Sequence, residues 1–293
     1  MTVPVALSIA GSDPSGGAGI QADLKTFAAF GVYGAAALTS LTAQNTRGVS
    51  AVAELEPAFV RQQIEAVLSD LRVGAVKLGM LSRAAIVEAV AAALEPWPGL
   101  PVVLDPVMLA KGGAALLMPD AVAVLRERLL PRAALITPNL PEAAALLSGT
   151  GQVGQQSVSE ARVAAEPEWA CEQLLGLGAQ AVLLKGGHGS GAQSTDILAV
   201  PREGAGGRPV LTRLSLPRLS TRNTHGTGCT LSAAIAAGLA HGRSLEQAVR
   251  DAKDFVQGAL AAADSLTVTR DASEAGDGHG PLHHLFSWGR FFP

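Results

Sequence analysis

The chain contains 293 residues, of which 48% are hydrophobic and 16% are charged, and its formal net charge is −3. A chain of this length can build one large α/β domain with a continuous core, and we expect a single domain over residues 1–293. The small negative charge excludes a general electrostatic attraction to nucleic acid or anionic lipid, so any bound phosphate must be held by local groups.

The N-terminal residues contain no basic segment and no apolar run long enough for a signal peptide or a membrane span. We therefore expect a cytoplasmic protein with no membrane partner and no nucleic-acid partner. The two cysteines, Cys171 and Cys229, lie in different sequence contexts, which predicts free thiols rather than a disulfide.

Short apolar runs alternate with longer segments of helical periodicity, a pattern typical of βαβ units. The predicted strands are residues 5–10, 35–42, 75–78, 102–104, 134–137 and 181–184. The predicted helices are residues 57–71, 83–94, 120–129, 167–175, 228–240 and 245–263. The strands are continuously apolar, which indicates burial on both faces. We therefore predict an α/β fold, a three-layer αβα sandwich with a mostly parallel central sheet.

Two segments interrupt this alternation. Residues 149–165 and 204–209 are rich in small and polar residues and lack periodicity, so we predict exposed loops there. The tail over residues 271–280 is also polar.

A glycine-rich turn, residues 11–19, follows the first predicted strand and opens a helix. Backbone N–H groups at such a turn face solvent or a ligand. A P-loop is excluded, because Gly17 and Ala18 stand where that motif needs Lys followed by Ser or Thr. A nicotinamide dinucleotide site would need an acidic residue for the ribose, and none lies between positions 23 and 54. A tight turn that needs glycine only for its dihedral angles is the alternative.

A second glycine-rich segment, residues 223–232, leads into small and apolar residues suited to a buried helix. The N–H groups of Gly226, Thr227, Gly228 and Cys229 at this helix start would form an anion hole for a phosphoryl group in transfer. Cys229 lies in the first turn, where the helix dipole is expected to lower the thiol pKa below about 8.5 and so provide a general base. The alternative is that Cys229 is a small buried hydrophobic residue.

These motifs together resemble the hydroxymethylpyrimidine/phosphomethylpyrimidine kinase family of the ribokinase-like superfamily. The resemblance covers almost the whole chain and rests on residues 11–13, 15–25, 39–46, 77–80, 105–107, 137–142, 185–188 and 224–230. It implies a ribokinase-like fold and transfer of the ATP γ-phosphoryl group, with Mg²⁺, to 4-amino-5-hydroxymethyl-2-methylpyrimidine and then to its monophosphate. The product would serve thiamin synthesis, and a homodimer is expected. Pro14 and the two long loops depart from the usual family sequence.

The resemblance assigns the pyrimidine site to Gln44, Gly11, Asp23, Met80 and Val107. The amide of Gln44 both donates and accepts, which suits the adjacent ring nitrogen and exocyclic amine of an aminopyrimidine. An amide that only caps a neighbouring loop is the alternative for Gln44.

The predicted metal ligands are Asp105 and Glu142, and the predicted nucleotide ligands are Lys185, Asn139 and Thr224. Asp105 follows an apolar strand, so its carboxylate emerges where Mg²⁺ carried by ATP would lie. The alternatives are a turn-forming role for Asp105, a capping box formed by Asn139 and Glu142, and a solvated strand-end position for Lys185.

Members of the wider superfamily carry an aspartate base at the position of Cys229. A fixed carboxylate would repel the phosphate monoester that is the acceptor in the second reaction, whereas a thiol can stay neutral there. The rival functions are a pyridoxal kinase of the same branch, a nicotinamide-dependent dehydrogenase and a non-catalytic pyrimidine-binding protein. The dehydrogenase lacks its ribose acid, and the binding protein would not need the anion hole.

Overall fold

The computed structural model describes residues 2–109, 116–148, 157–187, 191–202, 207–268 and 279–288. The strands are β1 Val5–Ala10, β2 Tyr33–Leu38, β3 Ser40–Asn45, β4 Gly48–Glu54, β5 Val73–Leu78, β6 Val102–Leu104, β7 Leu135–Ile136, β8 Val182–Leu184, β9 Gln193–Val200 and β10 Val210–Pro217. The helices are α1 Gly19–Ala29, α2 Pro57–Asp70, α3 Ala84–Leu94, α4 Pro119–Val124, α5 Leu140–Ser148, α6 Glu160–Ala165, α7 Pro167–Gly176, α8 Thr227–Ala240 and α9 Leu245–Ala261. A π-helical turn, Leu125–Leu129, follows α4, and 3-10 turns lie at Ala263–Ser265 and Phe286–Trp288.

Eight strands form the central sheet in the order β10-β9-β8-β7-β6-β5-β1-β2. The pairs from β8 to β2 are parallel, whereas β9 is antiparallel to β8 and β10 is antiparallel to β9. Strands β3 and β4 form a separate antiparallel hairpin. The predicted α/β fold with a mostly parallel sheet is confirmed.

Helices cover both faces of the sheet. Helices α1, α8 and α9 bury residues such as Phe27 and Leu231 on one face, and α2 to α7 bury residues such as Ile64 and Ile86 on the other. Helix α8 is buried nearly all round because its residues are small or apolar. At Gly238 an added Cβ would lie 2.8 Å from the Cβ of Ala248, so glycine lets α8 and α9 approach closely.

Two predictions of local structure were wrong, and two hairpins were missed. Residues 35–42 are not one strand, because the chain leaves the central sheet at Thr39, whose hydroxyl donates to the Met80 carbonyl over 2.6 Å. The predicted loop 149–165 contains α6, where Ser159 caps the helix by accepting from Arg162 N–H over 3.2 Å. The hairpins β3–β4 and β9–β10 were missed. Strands β4 and β10 are largely exposed or half-buried, whereas β9 has a short buried apolar run at residues 197–199 that could have revealed it.

Parts of the predicted loops and tail, residues 149–156, 204–206 and 271–278, lie outside the described residues. Both cysteines are free thiols, as predicted. No helix among the described residues is long and apolar enough to cross a membrane.

Candidate active site

The carboxyl ends of β1, β5, β6 and β8 meet the N terminus of α8 at one edge of the sheet, which is where α/β folds place ligands. A cavity of about 530 Å³ opens there. All of the predicted site residues except Asp23 line it: Gly11, Gln44, Met80, Asp105, Val107, Asn139, Glu142, Lys185, Thr224, Gly226, Thr227, Gly228 and Cys229. The glycine-rich start of α8 therefore faces the same cavity as Gln44.

The first glycine-rich turn is held by the carboxylate of Asp13. Its Oδ1 accepts from Ser15 N–H over 2.9 Å, and its Oδ2 accepts from Gly17 N–H over 3.2 Å and from Ala18 N–H over 2.8 Å. The prediction that the N–H groups of this turn face solvent or a ligand is thus wrong for these three amides. Burial alone would raise the pKa of Asp13, but hydrogen bonds from His225 and Ser15 hold it below its usual range.

The second glycine-rich turn packs directly on the first. Gly226 is the N-cap of α8 with φ of 85°, and a Cβ there would lie 1.8 Å from the Gly17 carbonyl oxygen. Glycine is therefore required at position 226 for both its dihedral angle and its close approach. Gly226 has no side chain to cap the amides of the first helical turn. The Thr227 N–H makes only a long hydrogen bond of 3.4 Å to the Thr224 carbonyl oxygen, so the N–H groups at residues 226–229, the anion hole, can serve a ligand.

The pKa predicted for Cys229 was wrong. The side chain lines the cavity only in part, and its burial among protein atoms raises the thiol pKa to about 11, although the positive charge of Lys77 opposes this rise. A helix N terminus stabilises a negative charge by only about 0.3–2 kcal/mol, which is less than burial costs a thiolate. At neutral pH the thiol is therefore overwhelmingly protonated.

Asp105 lies at the centre of the charged part of the site. Its Oδ1 accepts from Lys185 Nζ over 2.8 Å and from Thr137 Oγ1 over 3.1 Å. Its Oδ2 accepts from Ser232 Oγ over 3.3 Å. Burial alone would raise the pKa of Asp105, but Lys185 and Lys77 hold it below its usual range, so the carboxylate is ionised.

Asn139 and Glu142 form a capping box at the start of α5. Asn139 Oδ1 accepts from Glu142 N–H over 2.9 Å, and Glu142 Oε2 accepts from Asn139 N–H over 2.8 Å. Lys185 Nζ lies 3.6 Å from the same Glu142 oxygen. Burial raises the pKa of Glu142, and Lys185 counteracts this rise. Capping does not remove either side chain from the cavity wall, because both residues still line it.

The donors fit a magnesium ion carried by a nucleotide. In the described part of the chain, no three His, Cys, Asp or Glu side chains converge on a metal site. Mg²⁺ in kinases is usually held by one or two carboxylates, phosphate oxygens and water. Asp105 and Glu142 supply two carboxylates joined through one lysine, which matches that requirement.

Asp23 is fully buried below the cavity and does not line it. It accepts from Lys77 Nζ over 2.7 Å and from Ser8 Oγ over 2.5 Å. Lys77 does line the cavity, and its pKa is raised by Asp23, although burial alone would lower it. The structure therefore places Asp23 as the partner that keeps Lys77 charged, and direct contact between Asp23 and a pyrimidine stays a prediction.

Two polar residues of the site were not predicted individually. His225 Nε2 lies 2.8 Å from Asp13 Oδ2 and 3.2 Å from Gln44 Nε2. His225 therefore connects both glycine-rich turns to Gln44, the residue predicted to bind the pyrimidine. Asp13 and His225 both lie inside motifs quoted for the family resemblance. Their contact spans 212 positions of the sequence, and no local pattern could reveal it.

One end of the cavity is apolar and was also missed. It is lined by Pro217 at the end of β10, by Leu219 just after it, by Leu231 of α8, and by Val256 and Leu260 of α9. A flat heterocycle suits such a surface.

Known proteins that are similar to this chain are kinases, in agreement with the geometry of the site. The family model described as phosphomethylpyrimidine kinase matches residues 13–283. Hydroxymethylpyrimidine/phosphomethylpyrimidine kinases of Salmonella typhimurium and Escherichia coli are 51% and 50% identical to this chain, each over 97% of this chain and 98% of the relative.

Solved structures share the fold. The ADP complex of Bacillus subtilis pyridoxal kinase has a TM-score of 0.79 and 33% identity, covering 98% of this chain and 99% of that chain. The Staphylococcus aureus pyridoxal kinase with AMP-PCP and pyridoxal has a TM-score of 0.78 and 32% identity, covering 99% and 96%. The phosphomethylpyrimidine kinase of Clostridium difficile has a TM-score of 0.70 and 39% identity, covering 88% and 100%.

Proposed function

Because the chain belongs to the phosphomethylpyrimidine kinase family, we propose that it phosphorylates 4-amino-5-hydroxymethyl-2-methylpyrimidine and then the resulting monophosphate, with ATP as donor. One observation carries this proposal: a single cavity contains the Gln44 amide, the anion hole with Cys229, and the Asp105–Lys185–Glu142 cluster. An acceptor bound at the amide and a triphosphate bound at the lysine would meet at the start of α8.

Each group has a distinct task in this proposal. The N–H groups of the anion hole stabilise the negative charge that develops on the phosphoryl group in transfer. The ammonium group of Lys185 binds the triphosphate, and the adenine ring lies in the apolar end of the cavity. A magnesium ion held through Asp105 and Glu142 would neutralise phosphate charge when bound.

Asp105→Asn and Glu142→Gln are expected to raise the Mg²⁺ concentration needed for half-maximal turnover, by about tenfold or more. Each substitution removes a negative charge from the cation side of the site. The measurement is a titration of turnover with Mg²⁺ at fixed ATP. The exposed Asp120→Asn is the matched control and should leave the titration unchanged. If the site variants titrate like the control, both metal assignments are refuted.

Alcohol phosphorylation is expected to speed up with pH, because its proton acceptor is the thiolate of Cys229, whose pKa is about 11. Below that pKa the thiolate fraction rises about tenfold per pH unit, so the logarithm of the rate should rise with a slope of about one between about pH 6 and 9. Monophosphate phosphorylation needs no such base and should level off once the phosphate dianion forms, above about pH 7. Rates are measured with each acceptor at saturating ATP and Mg²⁺. Superimposable pH profiles for the two acceptors would contradict this assignment.

The overall activity is tested by coupling ADP release to a spectrophotometric assay. Hydroxymethylpyrimidine, its monophosphate and pyridoxal are supplied separately as acceptors. ADP release with both pyrimidines supports the proposal, and its absence with both overturns it.

Pyridoxal kinase is the second candidate. The pyridoxal kinases of Bacillus subtilis and Staphylococcus aureus share the fold along nearly the whole chain. Sequence identity favours the pyrimidine instead, because it reaches 51% with the pyrimidine kinase of Salmonella typhimurium and 33% with the pyridoxal kinase of Bacillus subtilis. Turnover of pyridoxal above that of either pyrimidine would reverse the order.

A further inference from the structure

The amide of Gln44 lies between two side chains that already have hydrogen-bond partners. Its Nε2 is 3.2 Å from His225 Nε2, and its Oε1 is 3.3 Å from Thr42 Oγ1. Whether each of these contacts is a hydrogen bond depends on which acceptors receive the hydrogens of His225 Nε2 and Thr42 Oγ1.

His225 uses its Nε2 hydrogen toward Asp13. The Nε2 atom lies 2.8 Å from Asp13 Oδ2, and the pKa of Asp13 is held below its usual range, so this carboxylate only accepts. Nε2 of His225 must therefore carry a hydrogen. A second N–H group cannot then donate to it, so the Gln44 nitrogen and the His225 nitrogen would face each other as two donors.

Thr42 uses its only hydroxyl hydrogen toward Ser12. Thr42 Oγ1 donates to the Ser12 carbonyl oxygen over 2.9 Å, whereas its contact with Gln44 Oε1 is longer, at 3.3 Å. The lone pairs of Thr42 Oγ1 remain available and can only accept. An amide nitrogen is therefore a better neighbour for Thr42 than an amide oxygen.

We propose that the Gln44 amide is held with Oε1 toward His225 and Nε2 toward Thr42, and that this orientation directs the hydroxymethyl group of the substrate to the anion hole. A half-turn of the amide about χ3 satisfies both neighbours at once. The His225 Nε2–H group is then shared between Asp13 and Gln44, and Gln44 donates to Thr42. This inference rests on the proposed function, since it concerns how an aminopyrimidine is bound.

The amide keeps one N–H donor and one oxygen lone pair for the ligand. In 4-amino-5-hydroxymethyl-2-methylpyrimidine, the exocyclic amine lies between a ring nitrogen and the hydroxymethyl group. The ring nitrogen accepts from the Gln44 nitrogen on the Thr42 side, and the amine donates to the Gln44 oxygen on the His225 side. The hydroxymethyl group therefore points past His225 toward Gly226. The opposite amide orientation would turn it away from the anion hole.

The surroundings of His225 fix its ring in this position. A Cβ at Gly17 would lie 2.4 Å from His225 Cδ2, so the imidazole packs on a glycine that leaves it just enough room. The His225 backbone N–H donates to the Gly280 carbonyl over 3.0 Å. His225 is also the residue before the N-cap of α8, so the same residue positions both Gln44 and the anion hole.

The histidine hydrogen can be observed directly. Long-range ¹H–¹⁵N correlation spectra of the full-length protein report which imidazole nitrogens are protonated, and His225→Gln identifies the resonances of His225. A hydrogen on Nε2 is expected. An Nε2 without a hydrogen would overturn the proposal, because Asp13 and Gln44 would then have no donor between them.

The threonine tests the orientation through activity. Thr42→Val should lower kcat/KM for hydroxymethylpyrimidine about five- to tenfold, the worth of one or two neutral hydrogen bonds, with little change in KM for ATP. Thr42→Ser keeps the hydroxyl and should restore the value to within about twofold. A matched control is Ser50→Ala, which removes a hydroxyl bond of 2.9 Å to the Ala43 carbonyl from the same hairpin without touching Gln44.

The outcomes separate this inference from the proposed function. A Thr42→Val enzyme that matches Ser50→Ala, or a Thr42→Ser enzyme that is no better than Thr42→Val, overturns the amide orientation while the kinase activity stands. A wild-type enzyme that releases no ADP with the pyrimidine overturns the proposed function and the substrate orientation together. The spectra would still decide the position of the His225 hydrogen.

Discussion

Replacing Cys229 with alanine is expected to lower the rate of alcohol phosphorylation at least about 100-fold and to change monophosphate phosphorylation only a few-fold. The alcohol must lose a proton during transfer, and in the proposed mechanism the thiolate of Cys229 at the start of α8 accepts it. The monophosphate is already an anion and needs no base. With a thiol pKa of about 11, Cys229 is neutral beside this second acceptor and does not repel it.

The two half-reactions are measured separately, each with its own acceptor and by single-turnover kinetics. Cys171→Ala is the matched control, because Cys171 is a buried thiol of the core remote from the cavity lining. It should cost some stability and leave both rates nearly unchanged. An equal loss in both reactions of the Cys229→Ala enzyme would remove Cys229 from the role of base and leave it a packing residue.

Gly226→Ala is expected to reduce both reactions about 100- to 1000-fold, the usual cost of displacing an oxyanion-hole donor. The added Cβ would lie 1.8 Å from the Gly17 carbonyl oxygen, which is a backbone atom and cannot rotate away. The turn must therefore move, and the first amides of α8 move with it. Unlike Cys229→Ala, this substitution should not distinguish between the alcohol and the monophosphate.

Gly242→Ala is the control for backbone strain alone. Gly242 follows the other end of α8 with φ of 77°, and a Cβ there has no atom within 4 Å. Gly242→Ala should lose about 1–2 kcal/mol of folding stability from the left-handed conformation, and Gly226→Ala should lose this amount plus the cost of moving the turn. Only Gly226→Ala should lose activity as well. Comparable activity in the two variants, with comparable thermal midpoints, would show that the anion hole does not depend on this turn.

The order of buried strands and helices could be predicted because each buried strand is a continuous apolar run and each helix has its own apolar periodicity. The turn at Thr39 could not, since it depends on a hydroxyl bond to Met80 in a distant segment. The β3–β4 hairpin was missed because β4 is largely exposed and therefore has no hydrophobic signature.

The same distinction applies to the site. Gln44 could be found from its place in a family motif, and Cys229 because its motif coincides with a predicted helix start. The pKa of Cys229 could not be predicted, because the helix dipole is visible in the sequence and the burial that outweighs it is not. Asp13 likewise satisfies amides that the sequence alone leaves open to a ligand. The single domain, the homodimer and the cytoplasmic location stay predictions.

If ATP and a divalent cation bind as proposed, the position of Lys185 sets the order in which they bind. Its ammonium group lies 2.8 Å from Asp105 Oδ1 and 3.6 Å from Glu142 Oε2, the oxygens that a divalent cation would also need. A divalent cation bound to these oxygens would lie close to the Lys185 ammonium group, and the two positive charges would repel each other. A free cation therefore gains little binding energy from the carboxylates while the lysine stays there. In the proposed function, a triphosphate would give Lys185 another partner and would free the carboxylates of Asp105 and Glu142. The cation and the nucleotide should therefore arrive as one complex.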